Sequence, residues 1–168
     1  TNAMNDELNK PYTREEVKKA LFNIGDLKAP GPDGLHAVFY KRFWHIIGED
    51  LVDEVLMAVN PRKIPEGWND TTVVVISTVD DPSVITQFRP TSLCNMVYKV
   101  ISKLLANRLK HILCEIISPN QSAFVSGRLI TDNFLVAFES CHAIKKKTTG
   151  KYGTCVVKLD MHKAYDRV

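Results

Sequence analysis

The sequence predicts an α+β, helix-rich domain. Three observations carry that reading. Four stretches place apolar residues every three or four positions, the spacing of a helix with one buried face. Two short runs, 71–76 and 154–160, are rich in β-branched residues and predict strands. The 168 residues are 45% hydrophobic and 24% charged, a globular balance at one-domain length. That balance excludes collagen, a low-complexity tail and a coiled-coil rod.

Residues 1–12 read as an N-terminal tail. Thr13-Arg14-Glu15-Glu16 is a capping box, in which the threonine hydroxyl and the glutamate carboxylate satisfy each other's backbone N–H groups. Val17, Ala20, Leu21 and Ile24 follow at helical spacing, and Gly25 stands where a helix ends. The spacing predicts a helix over 14–24. Lys28 to Gly34 holds two prolines and two glycines and is a loop. Phe39, Phe43, Ile46, Ile47, Leu51, Val55 and Val59 predict helix through 35–60, stopped by Pro61. Residues 71–76 predict a buried strand, and 80–83 a turn. The strongest helical pattern runs over 93–117, with Lys99, Lys103, Arg108 and Lys110 on its polar face. Residues 121–131 form an ordered loop. A helix over about 132–146 ends in Lys145-Lys146-Lys147, charges suited to a helix C-terminus. Thr148–Gly153 is a hairpin-like loop, 154–160 the second strand, and a further helix starts near Lys163.

The net charge of +3 is unevenly distributed. Residues 1–84 carry 9 Lys and Arg against 14 Asp and Glu, a net −5. Residues 85–168 carry 13 against 5, a net +8. A basic half fits a phosphate-rich partner, and equally a solvated face. Cys94, Cys114, Cys141 and Cys155 fit no zinc spacing and read as reduced, buried thiols. The first residues have neither a basic n-region nor an apolar h-region, and no apolar run is long enough for a membrane helix. These features predict an intracellular protein, nuclear or cytoplasmic, without a membrane partner.

Asp160 ends an apolar strand. A carboxylate there suits a divalent metal ligand, and equally a cap for the helix that follows. Asp166 reads as an ion-pair partner or cap. Arg128 could present its guanidinium to phosphate or RNA. The glycines make no phosphate loop, and the five histidines are scattered.

Six blocks, in this order, resemble the reverse transcriptase of LINE-type (non-LTR) retrotransposons, of the kind abundant in plants. They are Lys28-Ala-Pro-Gly-Pro-Asp-Gly34, Phe88-Arg-Pro-Thr-Ser-Leu-Cys94, Tyr98-Lys-Val-Ile-Ser-Lys-Leu-Leu-Ala-Asn-Arg-Leu109, Gln121-Ser-Ala-Phe-Val-Ser-Gly-Arg128, Leu129-Ile-Thr-Asp-Asn133 and Leu159-Asp-Met-His-Lys-Ala-Tyr-Asp166. The resemblance implies a right-hand polymerase fold, with fingers over about 13–150 and the start of the palm over about 151–168. It implies an RNA template, a DNA primer and deoxynucleoside triphosphates as partners. It places the leading palm aspartate, a Mg²⁺ ligand, at Asp160, with the Met161 backbone carbonyl beside it. In such a site two metals activate the primer hydroxyl and steady the leaving pyrophosphate. Arg89 falls where the family grips the triphosphate, and Tyr165 where an aromatic closes on the sugar. Gln121 and Arg128 fall in the block that lines the template path.

The chain also departs from the family. Ser77-Thr78 replaces a usual Pro-Lys, and no Asp-Asp step follows residue 81. One palm aspartate holds two metals poorly, so these 168 residues alone are expected not to polymerise DNA, with Mg²⁺ held weakly or not at all. The alternatives are a non-catalytic RNA-binding module or a decayed retroelement relic.

Overall fold

The computed structural model describes residues 1–150 and 152–160. They divide into two units, Thr1–Ile112 and Leu113–Val168.

In the first unit, α1 (Asn2–Asn9) starts at Thr1, whose hydroxyl accepts the Met4 N–H at 3.4 Å. The stretch read as a tail therefore carries a helix. The capping box at Thr13 forms as expected and starts α2 (Arg14–Phe22). The predicted helix over 35–60 is two, α3 (Ala37–Arg42) and α4 (Trp44–Val59), parted at Phe43. No proline or glycine causes the break. Instead, α3 is tied back to the turn after α2: Lys41 Nζ donates to the Ile24 carbonyl and to Asp26, each at 2.6 Å.

The core joins α2, α3, α4 and α5 (Met96–Ile116). Val17, Ala20 and Leu21 of α2 meet Ala37 of α3, Val52, Val55 and Ala58 of α4, and Met96, Val100, Ile101 and Leu104 of α5. Burying each large apolar side chain contributes about 1.5–3 kcal/mol. Arg14 ties α2 to α4 through ion pairs with Glu49 and Asp53.

Strands β1 (Thr71–Ser77) and β2 (Phe88–Cys94) form an antiparallel hairpin that pairs Thr71 with Cys94 and Ser77 with Phe88. Two expectations fail here. β1 is exposed along its whole length, including Val73 at 60% and Ile76 at 54%. Branching at Cβ favours extended backbone, but burial needs a packing partner, and none of the described residues covers this strand. The helix placed over 93–117 begins only at Met96, because Leu93 and Cys94 are held in the ladder.

In the second unit, α6 (Ile130–Lys146) is long, and none of its residues is buried. Phe134, Phe138 and His142 stack in file along it, with 6.4 Å between successive centroids. Residues 154–160, predicted as a strand, pair with nothing and form no strand among the described residues. Strand structure is a property of pairing as well as of composition. The helix predicted near Lys163 lies outside the described residues. No disulfide forms among the described residues, and the cysteines expected to be buried are not: Cys114, Cys141 and Cys155 are exposed and Cys94 is half-buried. Among the described residues no helix is long and apolar enough to cross a membrane.

Candidate nucleotide and template site

The loop Lys28–Gly34 is built onto the start of α5. Gly31 lies so close to the Cys94–Asn95 peptide that a Cβ there would stand 2.4 Å from the Cys94 carbonyl carbon. Only glycine allows that approach. The Asp33 N–H donates to Asn95 Oδ1 at 3.1 Å, and Asp33 Oδ2 accepts the Met96 N–H at 3.3 Å. An orphan N–H at the start of α5 thus receives its acceptor from a residue 63 positions away. Lys99 Nζ donates to the Ala29 carbonyl. Burial and the Asp33 carboxylate raise the nearby Tyr40 phenol above its usual 10.0. The first three sequence blocks are therefore physically joined.

Arg89 sits on β2 opposite Ile76 and is exposed, its guanidinium without a hydrogen bond or ion pair among the described residues. The turn beside it is ordered by Gln87. Gln87 Oε1 accepts the N–H groups of Ser83 (2.7 Å) and Val84 (3.0 Å). Its carbonyl accepts the Thr78 N–H and hydroxyl, both at 2.7 Å. Thr78, at the position where lysine is usual in the resembling family, uses its hydroxyl inside this turn. A free guanidinium on a hydrogen-bonded hairpin is suited to bind an anion bidentately.

Arg128 is placed differently. Its guanidinium donates to four carbonyls: Ser118 (2.5 Å), Gln121 (2.7 Å), Cys114 and Ile117 (both 3.2 Å). These are the last carbonyls of α5 and those just beyond it, where a cation is favoured by the helix dipole. Arg128 folds the 118–128 loop back onto the helix end. Gln121 joins it through its backbone, while its side chain is exposed. Ser122 and Val125 are buried within the loop. Phe124 between them is 97% exposed at φ 64°, a backbone region that bulky residues rarely adopt.

Asp160 is exposed, and Met161 and Tyr165 lie outside the described residues. Arg89 belongs to the first unit and Asp160 to the second. Among the described residues, no group of three or more His, Cys, Asp or Glu side chains is assembled to hold a metal. Asp160 alone does not fit a two-Mg²⁺ centre, which needs several oxygen ligands.

Sequence reasoning missed Arg108. Placed by the helical pattern on the polar face, its side chain is only 12% exposed. It donates to Glu16 through Nε (2.8 Å) and Nη2 (2.9 Å), and to the carbonyls of Leu8 (3.2 Å), Lys10 and Pro11 (2.8 Å). It also stacks 3.6 Å over the Tyr12 ring. The sequence offered no signal for this, because all its partners lie some 90 or more residues away.

The family described as "Reverse transcriptase (RNA-dependent DNA polymerase)" matches residues 79–168, a span that holds Arg89, Gln121, Arg128, Asp160, Met161 and Tyr165. The "Transposon TX1 uncharacterized 149 kDa protein" of Xenopus laevis is 32% identical over 163 residues, covering 97% of this chain and 12% of that protein. The "Probable RNA-directed DNA polymerase from transposon BS" of Drosophila melanogaster is 27% identical over 174 residues, covering 95% of this chain and 18% of that protein. The chain thus spans less than a fifth of either relative. With more than half its length inside the family's span, this chain belongs to the reverse transcriptase family.

Proposed function

We propose that the chain forms the fingers and the start of the palm of an RNA-directed DNA polymerase of the LINE (non-LTR) type. The family match over 79–168 carries this reading, and the collinear blocks point to the LINE class. In this reading Arg89 binds the triphosphate of an incoming deoxynucleotide. Its support is an exposed, unpaired guanidinium on β2, beside a turn ordered by Gln87. Asp160 contributes one carboxylate to a Mg²⁺ centre completed by residues outside those described. Tyr165 packs against the sugar. Gln121 and Arg128 belong to the template path, with Arg128 acting as a positioning residue: its carbonyl contacts hold the loop that would meet the RNA. The basic balance of residues 85–168 favours a polyanionic partner.

The 168-residue polypeptide by itself is expected to bind primer–template with steep salt dependence and not to extend it. In a longer polypeptide that continues through a palm segment of the form aromatic-x-Asp-Asp, Mg²⁺-dependent primer extension is expected. Asp160→Asn should abolish it, and Arg89→Ala should raise the KM for deoxynucleotides more than it lowers kcat. Extension that survives Asp160→Asn would overturn the assignment.

A further inference from the structure

In the first unit a cavity of about 440 Å³ opens between the 8–12 segment, the end of α4 and the middle of α5, within the usual size of a small-molecule site. Its lining is largely apolar: Leu8, Ala58, Val59, Ile64, Ile101 and Leu105. Tyr12 forms one wall, with its ring backed by Arg108. Asn9, Asn60 and Arg62 add polar groups to the lining. Asn60 Oδ1 accepts the Tyr12 N–H at 2.7 Å, which holds the wall in place.

Arg62 is the informative residue. α4 closes with Lys63 N–H donating to the Ala58 carbonyl (2.9 Å) and Arg62 N–H to the Val59 carbonyl (3.2 Å). That double closure puts its penultimate residue in the left-handed region, where glycine is favoured. Arg62 occupies it at φ 58°. The backbone gains nothing from an arginine there. Arg62 instead lines the cavity, and its Nη2 donates to Asn9 Oδ1 at 2.6 Å. Lys10, the other cation lining the cavity, is paired with Glu7. Arg62 has no carboxylate partner among the described residues.

We infer that this cavity binds a small amphipathic carboxylate, with its apolar body on Ile64, Ile101 and Leu105 and its anionic group on the Arg62 guanidinium. The site is independent of the nucleotide and template residues.

The test is a methyl NMR titration of the whole chain with 3-phenylpropionate, and in parallel with its uncharged amide. Saturable shifts are expected at the methyls of Ile64, Ile101 and Leu105. The amide should bind about fivefold more weakly, the scale of one solvent-screened charge pair. Arg62→Gly suits the backbone and should keep or raise the melting temperature, yet weaken carboxylate binding by the same factor. Leu105→Trp should fill the cavity and remove the shifts. Three results would overturn the inference: no shift at these methyls up to about 10 mM ligand, shifts confined to the hairpin or α6, or equal binding of acid and amide that is unchanged in Arg62→Gly.

Discussion

Arg108 shows how much a single side chain decides in this molecule. Its guanidinium satisfies three backbone carbonyls and one carboxylate while packed on an aromatic ring. Arg108→Ala should destabilise the chain by about 2–3 kcal/mol in urea titrations, since it leaves half-buried acceptors unpaired. Its partner gives a pH signature. The Arg108 hydrogen bond holds the Glu16 carboxyl below its usual 4.5. A carboxyl with a lower value folded than unfolded adds stability above the unfolded value and loses it as pH falls through the folded one. Glu16→Gln should therefore be less stable than the parent at pH 7, and the gap should close as pH falls below 4.5. Phe124 is the converse case. At φ 64° and almost fully exposed, it adds backbone strain without burial. Phe124→Gly should raise stability by about 0.5–1 kcal/mol in the same titration.

The elements differ in what holds them. The start of α5 depends on the Lys28–Gly34 loop, through the Asp33 acceptor and the Gly31 contact. Gly31→Ala would force backbone apart at a 2.4 Å contact. It should cost about 2 kcal/mol or more, with amide shifts at Cys94 to Met96 as the structural readout. The β1–β2 hairpin is the opposite. Its valines are exposed, so Val73→Thr and Val75→Thr should change stability by no more than about 0.5 kcal/mol in thermal melts. A larger loss would show that the hairpin is covered in solution. Local sequence made helices legible where periodicity and capping agreed, as in α2 and most of α5. It did not show the break at Phe43, which long-range contacts of Lys41 accompany. Nor did it show β2, whose Arg89-Pro90-Thr91 run lacks the apolar alternation of a strand.

Across the whole molecule, burial is concentrated in the first unit, where α2, α4 and α5 share one core. The second unit keeps only Ser122 and Val125 buried among its described residues. Local opening free energy follows buried contacts. Amide exchange should therefore be slowest in α2, α4 and the first half of α5, and faster by orders of magnitude in α6. Equal protection in α6 would mean that its exposed apolar residues are covered in solution. Of the site residues expected from sequence, the structure groups Gln121 with Arg128 and leaves Arg89 and Asp160 in separate units.

The sequence by itself determined the helix-rich α+β class, the capping box at Thr13, most of the helical spans and the family. These rest on local periodicity, short-range hydrogen bonding and the order of motifs, all present in the linear chain. Only the tertiary structure decided that β1 is exposed, that Arg108 is a buried clasp, that Arg128 closes a helix end and that Arg62 lines a cavity. Burial and pairing are set by residues distant in the chain, and no local pattern encodes which distant groups will meet.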